Sequence, residues 1–165
     1  MDHQILSHQQ ILHKINRIAY QIYESNVEEE LIVLAGIEGS GLEFAKKIKR
    51  ALEKICPAEI LLCRVKMDKS NPIESGVKTS LKPEQYQGRS VVVVDDVLKS
   101  GKTLIYGVNH FLKTPIKLLK TAVLVDRNYK RSPVKADFKG LSLSTSMEEH
   151  VRVDFSPKNY GVYLD

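Results

Sequence analysis

Val91 to Leu104 reads VVVVDDVLKSGKTL. Four successive β-branched residues without polar alternation suit a central parallel strand that is covered on both faces. Two carboxylates, Asp95 and Asp96, follow directly. Leu98 to Thr103 then offers a glycine for a tight turn, successive backbone N–H groups and the hydroxyls of Ser100 and Thr103, all opening onto a helix N-terminus. That combination is a phosphate cradle. Acids beside a phosphate would repel it unless they had another task. The vicinal hydroxyls of a ribose supply one, since a charge-assisted bond to a carboxylate is worth about 1.5–3 kcal/mol. The stretch therefore points to a ribose phosphate, in preference to acids that only end a strand and cap a helix.

Strands and helices alternate on both sides of this stretch. The spacing of Ile5, Ile11, Leu12, Ile15, Ile18, Ala19, Ile22 and Tyr23 predicts an amphipathic helix over residues 4 to 25. LIVLAG at 31 to 36 predicts a buried strand. Leu42, Ala45, Ile48, Leu52 and Ile55 predict a second helix that ends before Pro57. ILLCRV at 60 to 65 and LLKTAVLVD at 118 to 126 predict further strands, with a helix from Lys102 to about Leu112 between them. Segments at 138 to 143, 151 to 155 and 162 to 164 add short strands. The alternation predicts an α/β fold with an open, doubly wound parallel sheet, in one domain over residues 1–165. Between Lys66 and Arg89 the periodicity lapses into a long loop, and loops of that length act as lids or flexible segments.

Ligands of an open α/β sheet bind beyond the carboxyl ends of its strands. Gly36-Ile37-Glu38-Gly39-Ser40-Gly41 follows the first predicted strand, and Asp126-Arg127-Asn128-Tyr129-Lys130-Arg131 follows the strand at 118 to 126. Two rival phosphate motifs fail on inspection. Gly101-Lys102-Thr103 would end a P-loop, but Asp96 stands where its first glycine belongs. In a dinucleotide fingerprint begun at Gly39-x-Gly41, Phe44 stands at the third glycine.

The composition narrows the classes further. The chain has 165 residues, 42% hydrophobic, with a net charge of +5, which suits one core and an anionic ligand. No apolar run approaches the length of a membrane span and the first residues lack the pattern of a secretory signal, so a cytoplasmic protein is expected. Cys56 and Cys63 read as packing residues, and His3, His8 and His13, spaced five apart, do not make a metal cluster. No metal site built from protein ligands is expected.

VVVVDDVLKSGKT resembles the phosphoribosyl pyrophosphate signature of type I phosphoribosyltransferases. AVLVDRNYKRSPVKADFKG at Ala122 to Gly140, RIAYQIYESN at Arg17 to Asn26 and the late STSMEEHVRVDF segment extend the likeness. Together they resemble the bifunctional family of uracil phosphoribosyltransferase and pyrimidine-operon attenuation regulator. The resemblance implies a parallel core of five strands, with a small hood from the terminal segments over the base. It implies Mg²⁺ carried with pyrophosphate. Asp95 and Asp96 would hold the ribose hydroxyls as the catalytic acids, and Lys99, Ser100, Gly101, Lys102 and Thr103 the 5′-phosphate. The Gly36 to Gly41 loop, with Glu38, Gly39 and Ser40, would face pyrophosphate, the segment of about 67–81 would close as a lid, and Arg127 with the hood would line the base pocket. Phosphoribosyl pyrophosphate and a nucleobase, uracil first, are the implied partners, in a homodimer or larger homo-oligomer without a membrane. Two features depart from the family pattern: Glu38 stands where a basic residue is usual, and Leu143-Ser144-Thr145 lacks a proline before the threonine. Two alternatives keep the fold. One is a hypoxanthine or guanine phosphoribosyltransferase, and the other a nucleotide-sensing RNA-binding regulator that uses Lys14, Arg17, Tyr20, Lys130, Arg131 and Lys135.

Overall fold

Along each core strand successive side chains point to opposite, equally buried faces, and this alternation assigns the helices to two layers. The computed structural model describes residues 2–146 and 149–165. Its elements run β1 (His3–Leu6), α1 (His8–Glu24), β2 (Leu31–Ile37), α2 (Ser40–Glu53), β3 (Glu59–Lys66), α3 (Pro72–Ser75), β4 (Lys78–Thr79), α4 (Pro83–Tyr86), β5 (Ser90–Leu98), α5 (Lys102–Phe111), β6 (Leu118–Asp126), β7 (Phe138–Ser142), β8 (Val151–Asp154) and β9 (Gly161–Leu164). Ile32, Leu34, Val92, Val94, Ala122 and Leu124 face one layer, packed with Ile18, Ile22, Phe44 and Ile48 of α1 and α2. Val33, Ala35, Val91, Val93 and Val123 face the other, with Leu104 and Phe111 of α5. Each such side chain contributes about 1.5–3 kcal/mol on burial, which is why the VVVV run lies at the centre.

The main sheet has the order β4-β3-β2-β5-β6-β7. β3, β2, β5, β6 and β7 are parallel and β4 is an antiparallel edge, giving the expected open, doubly wound sheet. Winding changes direction between β2 and β5. A crevice opens there at the carboxyl ends, where the sequence places the Gly36 loop and the paired acids. A second, three-stranded sheet of order β1-β9-β8 forms the hood from the terminal segments. Met147 and Glu148 of STSMEEHVRVDF lie outside the described residues.

Two local expectations are corrected. Residues 4 to 6 are not helical: they belong to β1, with His3 opposite Leu164 of β9. Ser7 begins α1 by a capping box, its Oγ accepting from Gln10 N at 3.3 Å while its own N–H donates to Gln10 Oε1 at 2.8 Å. The segment from Lys66 to Arg89 is not one featureless loop either. It holds α3, β4 and α4, and buried Tyr86 meets Phe111 edge to face at 5.0 Å.

Cys56 and Cys63 are buried and free, and burial pushes the Cys63 thiol above its usual range. Among the described residues no helix is long and apolar enough to cross a membrane.

Candidate functional site

β5 runs on to Leu98, so Asp95 and Asp96 lie inside the strand and not after it, with Asp95 in register with Val123. β2 ends at Ile37, one residue after Gly36 pairs with Val94, so Asp95 is level with its last residue and Asp96 stands beyond it at the crevice. The first turn of α2 seals one side. A Cβ added at Gly41 would stand 2.7 Å from Asp95 Oδ1 and 3.1 Å from its Cα, so only glycine lets the helix approach the acid this closely. Asp95 is 6% exposed, and its Oδ1 accepts from Asp96 N at 2.9 Å. Asp96 is half-buried and its Oδ1 accepts from Val97 N at 2.8 Å.

Burial, and next the charge of Asp96, raise the Asp95 carboxyl well above the usual carboxylate range, while the charge of Lys69 acts in the opposite direction. An acid whose folded pKa is raised contributes stability below its unfolded pKa, and loses it as pH rises through the folded value. Asp95→Asn removes the ionisation and keeps the shape. The variant should be more heat-stable than the wild type near pH 7, with the gap closing in acid, when thermal unfolding of the ligand-free proteins is followed against pH.

Across the crevice, Gly101 takes a left-handed φ of +86° and starts α5. A Cβ there would also come within 2.6 Å of Val134 Cγ1. Ser100 Oγ accepts from Lys102 N at 3.3 Å, and Ser100 O accepts from Arg131 N at 2.7 Å and Ser132 N at 3.1 Å. These bonds pin Lys99 to Thr103 around a cavity of about 70 Å³ that Asp95 also lines. A second cavity of about 300 Å³ lies beside it, between Lys99, Ser100, Tyr129 and Arg131. Lys102, which lines the first cavity, donates from its ammonium to Ser70 O at 3.3 Å.

Glu38 is exposed, and its backbone N–H is held by Val65 O at 2.8 Å. Gly39, with φ +100°, lets the chain turn into α2 at Ser40. The structure thus gathers Asp95, Asp96, the Lys99–Thr103 turn and the Glu38–Ser40 loop at one switch point.

Arg127 adjoins the turn through its backbone, its N–H donating to Leu98 O at 2.9 Å, while its side chain points to the hood segment. It is 1% exposed, and its guanidinium donates to Thr145 Oγ1 (2.9 Å), Ser146 O (3.2 Å) and Glu149 O (2.6 Å). It ties the end of β6 to the segment leading into the hood. Arg127→Ala would leave these acceptors unpaired and should lower stability by about 3 kcal/mol, seen as a fall in Tm of about 6–12 °C. Arg127→Lys should recover only part of it, because a lysine cannot reproduce the planar fork.

The sequence put Gly41 in the loop expected to face pyrophosphate, without its contact to Asp95, and left Asp126 without a role. Asp126 is 1% exposed, accepts from Asn128 N at 3.0 Å, and lies 3.5 Å from Lys130 Nζ and 3.8 Å from Lys139 Nζ. It organises the turn that carries Tyr129 and Arg131, where Asn128 is left-handed at φ 55°. The doubled small residues of Gly39-Ser40-Gly41 were the one signal for a close approach.

Comparison with known proteins gives this geometry a family. The phosphoribosyl transferase domain matches residues 2–157. This chain belongs to the phosphoribosyltransferase family. It is 33% identical over 144 residues to the bifunctional protein PyrR of Streptococcus thermophilus, covering 84% of this chain and 82% of that protein. It is also 33% identical over 157 residues to the bifunctional protein PyrR of Fusobacterium nucleatum, covering 90% and 88%. Among solved structures, the hypoxanthine phosphoribosyltransferase of Trypanosoma cruzi superposes with a TM-score of 0.79 at 18% identity, over 96% of this chain and 94% of that one. A hypoxanthine-guanine phosphoribosyltransferase of Bacillus anthracis gives 0.72 at 23% identity, over 87% and 83%. At these identities the structures establish the shared phosphoribosyltransferase fold. The family match makes the chain a phosphoribosyltransferase enzyme.

Proposed function

We propose that this phosphoribosyltransferase moves the ribose 5-phosphate of phosphoribosyl pyrophosphate onto a ring nitrogen of a nucleobase, uracil first, with release of pyrophosphate. One observation carries the reading: two carboxylates stand between a phosphate-sized cradle and a glycine loop at the switch point of the sheet. The bond from ribose C1 to pyrophosphate breaks as the base nitrogen bonds to C1, and the ring becomes positive in between. Fixed carboxylates favour that charge by position and field, without a covalent nucleophile. Asp95 and Asp96 hold the ribose hydroxyls on this reading. Lys99 to Thr103 hold the 5′-phosphate, Glu38 to Ser40 border pyrophosphate, and Arg127 shapes the base pocket through the hood segment.

The donor set fits Mg²⁺ that arrives on the substrate. Among the described residues no group of three or more acids, histidines or cysteines could hold a metal, whereas one or two carboxylates with substrate oxygens are what Mg²⁺ ordinarily takes. When bound, it neutralises charge on the departing pyrophosphate.

RNA regulation draws less support. Arg17 is committed to Lys139 O and Gly140 O at 2.9 and 2.8 Å, Lys130 lies near Asp126, and Lys135 lies 3.7 Å from Asp137. An RNA surface needs several such cations directed at phosphates together. The same reading takes the enzyme as cytoplasmic and homo-oligomeric, and light scattering tests the second point.

Pyrophosphate release, measured with Mg²⁺ and phosphoribosyl pyrophosphate against uracil, hypoxanthine and guanine, tests the activity and the base together. Release with uracil alone supports the reading in full, and release with none of the bases overturns it. Glu38→Lys should lower the KM for phosphoribosyl pyrophosphate by about three- to tenfold, because an exposed like charge becomes an attractive one beside the leaving group. An unchanged or higher KM would mean that only the loop backbone meets pyrophosphate.

A further inference from the structure

α2 carries two rows of cations, and only one row is paired. Lys46 Nζ lies 3.1 Å from Glu43 Oε1 and Lys49 Nζ 3.1 Å from Glu53 Oε1, so both acids of the helix are engaged along that row. Lys47, Arg50 and Lys54 recur at i, i+3 and i+7 and form a second stripe. Among the described residues none of these three has an ion pair or a side-chain hydrogen bond. They line a hollow of about 160 Å³ between α2 and α1, and no acid lines it with them. The negative end of the helix favours cations, which accounts for Arg50 and Lys54. It does not account for Lys47, about two turns before Lys54. The Lys47 ammonium stands 4.8 Å from the ring centroid of Tyr160 and 5.0 Å from that of Phe155, held by π faces that leave its charge in place. Tyr160 is fixed in turn, its N–H donating to His8 Nδ1 at 2.9 Å and its ring 4.5 Å from the His8 ring.

We propose that this hollow is a second anion site of the enzyme, apart from the crevice, and that it takes the phosphate monoester of a small carbon compound. Three cations and the amide of Asn16 suit the several acceptor oxygens of a phosphate, and Arg50 can meet two of them with its planar fork. Leu12, Ile15 and Ala51 offer the carbon part an apolar wall. The hollow is well below the roughly 300–1,000 Å³ of pockets that enclose drug-sized ligands, which favours a phosphate on a few carbons over a whole nucleotide. Its place in the fold keeps it separate from the chemistry. α2 starts where Gly41 meets Asp95 and runs back toward the start of β3, so at 1.5 Å per residue Lys54 lies about 20 Å along the helix from Gly41. None of the residues around the hollow lines the cradle at Lys99 to Thr103.

The test is a calorimetric titration of the whole chain with glycerol 3-phosphate, in about 0.15 M chloride so that diffuse surface attraction is screened beyond roughly 8 Å. The double variant Arg50→Gln, Lys54→Gln should weaken this binding by about tenfold or more, at least the worth of one charge-assisted bond. Lys47→Met keeps an apolar stem against the rings and should weaken it by a similar factor. Arg50→Lys with Lys54→Arg keeps both charges and should retain most of the affinity. Ser100→Ala with Thr103→Val strips the hydroxyls from the cradle, and should leave binding at the helix site in place. All the substituted side chains on α2 are at least partly exposed, and circular dichroism checks the fold of each variant. Unchanged affinity in Arg50→Gln, Lys54→Gln overturns the inference. So does binding lost only in the cradle variant, which would make the cradle the single phosphate site, and so does a wild type that takes up no glycerol 3-phosphate in the millimolar range. None of these outcomes bears on the reaction in the crevice, which pyrophosphate release reads separately.

Discussion

Asp96→Asn is expected to keep the fold and to lower kcat/KM for phosphoribosyl pyrophosphate by about ten- to a hundredfold, the equivalent of roughly 1.5–3 kcal/mol for a charge-assisted bond. The amide is nearly the same size, and Asp96 is only half-buried at the mouth of the crevice, so packing should not change. On the proposed function, what is lost is a strong acceptor for a ribose hydroxyl and a negative field near C1. The field matters most when the ring is positive, so kcat should fall along with kcat/KM. Steady-state rates at saturating base, with thermal unfolding as a control, separate this from a folding defect. Equal rates in mutant and wild type would remove Asp96 from the site.

Gly41→Ala should do greater harm with a single methyl group. In an open helix the exchange would favour the fold by up to about 1 kcal/mol. Here the new Cβ would press on both Oδ1 and Cα of Asp95, and the acid has no room to retreat because it is only 6% exposed. A displacement of the acid by about 1 Å is enough to cost about a hundredfold in rate. Turnover should therefore fall by at least about that factor, with weaker binding of ribose 5-phosphate. Gly39→Ala is the useful contrast: a Cβ there meets nothing within 4 Å, and the substitution suffers only from the positive φ. If the two alanines behave alike, contact with Asp95 is not what requires Gly41.

How much of this was legible depends on where the deciding partner lies. β6 was readable to the residue, and the VVVV run gave the central strand, because both are buried on two faces whatever surrounds them. The paired acids and the cradle could be assigned chemistry because they are contiguous. Ile5 fell in step with the helix that follows, and only β9, far away in sequence, makes its neighbourhood a strand. The four-residue helices α3 and α4 are too short to show a period, and Tyr86 declares its anchoring role only against Phe111. Gly39-Ser40-Gly41 signalled a close approach, but that Asp95 is what Gly41 meets shows only once β2 and β5 have paired.

The hood is closed by two strands from opposite ends of the chain, and this sets an order of events during synthesis. On a ribosome adding about 5–20 residues per second, β1 is made long before β9 and has no partner in the sheet until then. β2, β3, β5 and β6 find one another much earlier, and with them come the paired acids and the turn at Ser100. Nascent chains therefore pass through a stage in which the crevice between β2 and β5 can assemble while the hood cannot. β1 is therefore among the last strands to settle, its edge left to be sheltered until β9 arrives.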